Sequence, residues 1–153
     1  MHSRHRASRT QPRLVRTNLA NAPRATLRRC QTPRVSYRVG IDVVGVHEVQ
    51  ASLDAHGRAY LERVYTPAEQ RACASTAGGH DAGRLAQRFA AKEAVRKVIR
   101  ADLPWTDIEV DTATPPGLRV PDAGWSLFLS LTQASGRAAA VVVGQQASGG
   151  VRE

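Results

Sequence analysis

The chain has 153 residues, enough for one domain, with 42% apolar residues, 5% aromatics and a formal net charge of +9. No apolar run approaches the roughly 18–20 residues that span a bilayer, which excludes an integral helical membrane protein. No apolar segment follows the N-terminal charges as in a secretory signal, and Cys30 and Cys73 make neither a disulfide framework nor a metal cluster, so a reducing, cytoplasmic compartment is expected.

The charge is concentrated at one end. Residues 1–38 hold ten Arg, no Lys and no acid, which leaves 12 bases against 13 acids in the remaining 115 residues. Residues 1–37 read as a disordered Arg-rich extension, too polar and too singly charged to repay their ordering entropy. The same composition fits an organellar transit peptide or a nucleic-acid-binding arm. Against the arm, Tyr37 is the single aromatic available to stack on bases, and the body is near neutral. Nucleic acid is therefore not an expected partner, and no membrane is.

Along the body, YRVGIDVVG at 37–45 predicts a buried strand ending at a turn. Val46 to Tyr65 has helical spacing interrupted at Gly57. Thr66-Pro67-Ala68-Glu69 is a capping box that opens a helix reaching about Ser75. Asp81 is a plausible cap for the next helix. Arg84 to Arg100 is the clearest helix, with Leu85, Phe89, Ala90, Ala94, Val95, Val98 and Ile99 on one stripe; Pro104 ends it. Trp105 to Asp111 alternates like a strand, Pro115-Pro116-Gly117 is a turn and Leu118-Arg119-Val120 is extended. Trp125 to Thr132 and Arg137 to Val143 are two strands joined by the four residues Gln133 to Gly136. Helices first and antiparallel strands afterwards give an α+β domain over 38–144, with 145–153 a flexible tail.

Two features carry chemistry. Asp42 sits inside an apolar strand, where an unpaired charge costs several kcal/mol, so it is capping the turn at Gly45, paired, or bound to a metal. Lysine is used twice against 20 Arg, at Lys92 and Lys97 in one helix, which suggests positions that need a compact or deprotonatable amine. Glu93 lies four residues before Lys97 on the same helix face, and the two form either an ordinary surface pair or part of a site.

GIDVV at 40–44, YTPAEQR at 65–71, RFAAKEAVRKVI at 88–99 and SLT at 130–132 before AAAVVV at 138–143 together resemble the holo-acyl-carrier-protein synthases, the short single-lobed group of 4'-phosphopantetheinyl transferases. The resemblance spans the whole body. It implies an antiparallel sheet packed with a long central helix, and transfer of phosphopantetheine from coenzyme A to a serine of an apo acyl carrier protein with Mg2+ assisting. It implies Asp42 and Glu93 as metal ligands and Glu93 with Lys97 as catalytic residues. Lys92 is then a phosphate contact, and Ser130, Thr132 and Gln133 lie near the coenzyme. A homotrimer with its sites between subunits is expected. So is a basic surface for the acidic carrier, with Arg58, Arg63, Arg71 and Arg84 as candidates by charge alone.

This chain departs from the family pattern at Gln133-Ala134, where relatives carry His and an acid. It departs again at Gly45, where relatives often place Glu. Gln can donate a hydrogen bond but cannot shuttle a proton. A relative that binds coenzyme A or a carrier without efficient turnover is the alternative that Gln133 supports.

Overall fold

Alternation along strand β1, Ser36–Gly45, sends Gly40, Asp42 and Val44 to one face and Val39, Ile41 and Val43 to the other. The computed structural model describes residues 35–111, 115–121 and 124–146. Nearly all of the Arg-rich extension, with Cys30, lies outside the described residues, as does most of the expected C-terminal tail. Strand β1 enters helix α1, Val46–Val64, without a linker. Glu48 accepts the Gly45 N–H at 3.2 Å, which closes the first turn. The interruption at Gly57 is a kink inside one helix. Its φ of 49° suits glycine, and no atom would meet a side chain there.

Thr66 caps helix α2, Pro67–Ala72, as the sequence indicates: its hydroxyl accepts the Glu69 N–H at 3.2 Å, and Glu69 accepts the Thr66 N–H at 2.8 Å. The helix ends three residues before Ser75, because the Cys73 N–H is shared between the Glu69 and Gln70 carbonyls in a tightened final turn. Helix α3, Ala82–Ile99, starts at Asp81, whose carboxylate accepts the Arg84 N–H at 3.0 Å. It is buried over most of its circumference and forms the centre of the molecule.

The segment from Trp105 differs from expectation. Residues Trp105–Asp107 form one 3-10 turn, and only Glu109–Asp111 is strand, β2, paired with β3, Gly117–Arg119. Pro104 presets the turn, and the Trp105 ring packs 5.3 Å from Phe89 and under the Arg96 guanidinium. Strands β4, Ser126–Ala134, and β5, Arg137–Gln146, run longer than the sequence suggests. Their connection is therefore two residues, Ser135 and Gly136, both at positive φ (50° and 70°), the turn whose twist matches a hairpin.

The main sheet is antiparallel throughout, in the order β1-β5-β4. Helix α3 lies across one face, over Ala138, Ala140 and Val142 of β5. Two glycines allow the close approach. A Cβ on Gly40 would stand 2.0 Å from the Ala94 carbonyl oxygen, and one on Gly144 would stand 2.4 Å from Val98 Cγ1. On its other side α3 packs against Val49, Leu61, Tyr65, Ile108 and Val110.

Candidate active site

Asp42 is held where it is by the packing at Gly40. Arg38 Nη1 donates to the Val98 carbonyl at 3.1 Å, and two residues along the strand Gly40 meets Ala94, one turn earlier in the helix. Strand and helix therefore run antiparallel. At about 3.3 Å per strand residue and 1.5 Å per helix residue, Asp42 lies level with the turn of α3 before Ala94, the turn that ends in Glu93. Asp42 shares the helix-facing side of the sheet with Ala140 and Leu131.

Its carboxylate does not cap the turn at Gly45. It pairs with Lys97, whose Nζ stands 2.7 Å from Asp42 Oδ1 and 2.7 Å from the Ile41 carbonyl. The ammonium is half exposed and the carboxylate largely covered (side-chain exposures 50% and 17%). A helical side chain leans toward the N-terminus, which carries the Lys97 amine back toward the Glu93 level. Lys97 thus reaches Asp42 across the elements, and not Glu93 four residues before it. Glu93 is half-buried and pairs with no described residue. One acid and one amine meet here from β1 and α3, beside the helix turn that ends in Glu93, a pattern of charge suited to a cation together with an anionic substrate.

Lys92 is elsewhere. Its side chain is fully buried on the far side of α3, ion-paired with Glu69 Oε2 at 2.7 Å, with its remaining N–H bonds to the carbonyls of Trp105 at 2.8 Å and Ile108 at 2.5 Å. Burial lowers its pKa from the ordinary lysine value, opposed by the Glu69 charge. All three donors are used inside the protein, so within this chain Lys92 presents no free donor for the phosphate contact expected of it. Glu69 is the residue that sequence reading undervalued. It is legible as the third member of a capping box, but nothing local shows that the same carboxylate meets Lys92 and accepts the Val110 N–H at 2.8 Å.

The three residues expected near the coenzyme divide between faces. Ser130 and Thr132 pair with Val141 and Ala139, in rows with Ile41 and Val43, on the sheet face away from α3 and Asp42. Gln133 is on the helix side, but its amide sits against Gly83 in the first turn of α3, about 15 Å along the axis from Glu93. Within one chain, none of the three is brought to Asp42. Of the basic candidates, Arg58 on α1 pairs with Glu62 at 2.6 Å and Arg84 on α3 lies 3.6 Å from Asp81. Arg63 and Arg71 are exposed.

The outer sheet face is apolar. Tyr37, Val39, Ile41, Val43 and Phe128 are each more than half exposed, with Val141 among them at 37%. No described helix is long and apolar enough to cross a membrane.

Comparison with known proteins covers the same stretch of the chain. The model of the 4'-phosphopantetheinyl transferase superfamily matches residues 38–142. The chain is 36% identical over 120 residues to the holo-[acyl-carrier-protein] synthase of Trichlorobacter lovleyi, covering 69% of this chain and 94% of that protein. It is 36% identical over 100 residues to the protein of that name from Oenococcus oeni, covering 63% and 76% respectively. Among solved structures it resembles the Helicobacter pylori holo-[acyl-carrier-protein] synthase in complex with coenzyme A, with a TM-score of 0.62, 25% identity and coverage of 70% of this chain and 99% of that one.

Proposed function

The chain belongs to the 4'-phosphopantetheinyl transferase superfamily, and we propose that it acts as a holo-acyl-carrier-protein synthase. It transfers 4'-phosphopantetheine from coenzyme A to a serine of an apo acyl carrier protein. The serine oxygen forms a bond to the pantetheine-side phosphorus, the pyrophosphate P–O bond breaks, and adenosine 3',5'-bisphosphate leaves. The observation that supports this most is the pairing of Asp42 with Lys97 beside the turn of α3 that ends in Glu93, in a chain similar to one synthase over nearly its full length.

Asp42 and Glu93 suit Mg2+, which takes one or two carboxylates and completes its shell with phosphate oxygens and water. This reading is supported by Asp42, whose carboxylate already holds a cation, the Lys97 ammonium. Among the described residues no group of three or more His, Cys, Asp or Glu gathers, so a bound ion would take its remaining ligands from substrate and water. When bound, the ion neutralises charge on the pyrophosphate. Lys97 adds positive charge at the phosphoryl oxygens. Glu93, which pairs with no described residue, accepts the serine proton as it leaves.

The assembly we propose is a homotrimer. Its support is the exposed apolar sheet face together with Ser130 and Thr132 on that same face. A coenzyme at Asp42 of one copy meets those hydroxyls only on a neighbouring copy. The enzyme then works in the cytoplasm and supplies holo-carrier for fatty acid synthesis, docking the acidic carrier through exposed arginines such as Arg63 and Arg71.

The test is the intact mass of an apo carrier protein incubated with this protein, coenzyme A and Mg2+. A gain of the phosphopantetheine mass that disappears with EDTA is expected. Binding of coenzyme A without mass gain across several carriers would instead establish a relative that has lost turnover.

A further inference from the structure

Behind the Glu93 side of α3 lies the most enclosed ion pair among the described residues, Lys92 with Glu69, at 0% and 1% side-chain exposure. Both groups are saturated. Lys92 gives its three N–H bonds to Glu69, Trp105 and Ile108. Glu69 takes the Thr66 and Val110 N–H groups at 2.8 Å each. One pair therefore ties α3 to α2, to the 3-10 turn and to β2, and the Tyr65 ring closes over the ammonium at 5.8 Å.

Burying two charges is a poor route to stability, since apolar residues of equal volume commonly do as well, but a saturated pair is directional and tolerates little rotation. On the other side of α3 the directional contacts, Lys97 to Asp42 and the Ile41 carbonyl and Arg38 to the Val98 carbonyl, all lie in the C-terminal half of the helix. Toward the sheet α3 sets the Ala94 carbonyl over Gly40, and its clearest knob is Val98 between Gly40 and Gly144. Val98 fixes the C-terminal half of the helix, whereas Glu93 lies more than a turn earlier. Lys92 directly precedes Glu93, about 100° away around the axis. Any rotation that relaxes the Lys92 bonds therefore also turns Glu93 about the helix axis.

We propose that Lys92 and Glu69 are positioning residues, a buried lock that sets the rotation of α3 so that Glu93 and Lys97 meet Asp42. This rests on the transferase reading for what the aligned residues do. It replaces contact with the substrate phosphate as the role of Lys92.

The experiment compares wild type, Lys92→Met, Glu69→Gln and the double variant in carrier modification, and separately in binding of Mn2+ followed by water-proton relaxation. Each single variant is expected to lower kcat about tenfold or more with KM for coenzyme A within about twofold, and to weaken Mn2+ binding. The double variant should lose no more than the worse single, because the two residues act as one unit. A tenfold rise in KM for coenzyme A in Lys92→Met alone, with Glu69→Gln like wild type, overturns the proposal in favour of a phosphate contact. A lower melting temperature with unchanged kcat and Mn2+ affinity overturns it in favour of a purely structural pair. If Lys92→Met does not fold, Glu69→Gln, which keeps a capping-competent side chain, decides alone. Wild type that binds Mn2+ but modifies no carrier refutes the transferase reading and leaves the lock testable by Mn2+. Wild type that does neither overturns both.

Discussion

Asp42 is the residue whose chemistry and position are hardest to separate. Asp42→Asn keeps the side-chain shape but removes the charge that Lys97 pairs with and that a divalent ion needs. Because the Lys97 ammonium is half exposed, losing the pair should cost no more than about 1 kcal/mol of stability. Transfer at saturating coenzyme A should fall by about 100-fold or more. A carrier mass assay beside a thermal melt checks both, and full activity in this variant would remove Asp42 from the metal assignment. Gly40 acts through space, not charge. Its absent side chain leaves room for the Ala94 carbonyl, where a Cβ would stand 2.0 Å away. Gly40→Ala must push α3 off the sheet, at a cost of about 1–3 kcal/mol read from urea unfolding, and it displaces Glu93 and Lys97 from Asp42 at the same time.

Among the elements, α2 does the most for its six residues. Thr66 caps it and also donates to Glu109 Oε2 at 3.0 Å, while Arg119 reaches the other Glu109 oxygen at 2.8 Å. Thr66→Ala removes the cap and one buried partner together, so a loss of about 1–2 kcal/mol in unfolding free energy is expected. Most of this layer was legible from the sequence. The capping box, Asp81 as a cap, the central helix and the two long strands appear where their periodicity indicates. The misread segment, Trp105–Asp107, alternates like a strand by coincidence. Its large residue is placed by packing against Phe89 and Arg96, which the local pattern does not contain. The hairpin differs from its local pattern for a related reason. Pairing with β1 on one side and β4 on the other extends β5, and longer strands leave only Ser135 and Gly136 to turn.

At the scale of the whole molecule, the apolar outer sheet face is the feature a lone chain leaves unexplained. Phe128 stands 58% exposed on it, on the side of the sheet away from Asp42. Phe128→Asp should convert a trimer to monomers in sedimentation velocity, with transfer falling at least about tenfold because Ser130 and Thr132 no longer reach a neighbouring site. A protein that is monomeric before the substitution would refute the assembly. The Arg-rich extension belongs to this scale too. Strand β1 begins at Ser36 and pairs with Gln146 there, so removal of residues 1–34 spares the sheet. Transfer by the shortened chain within about twofold of the full chain is the expected result, since phosphate contacts from a tail would add nonspecific affinity more than turnover.

The sequence by itself determined the α+β class, the order of the elements, the family and the acids and amines worth testing, because periodicity, caps and motif spacing are local and survive without coordinates. Only the tertiary structure decided what those residues do for one another. It joined Asp42 to Lys97 across 55 positions and turned Lys92 inward to Glu69. It also set Ser130 and Thr132 on the opposite side of the sheet from Asp42. The first two outcomes depend on how α3 sits on the sheet, and the third on the register of the strands. The helix approaches the sheet at two glycines and meets Glu69 through a buried ion pair, contacts between residues far apart in the chain that no local pattern encodes.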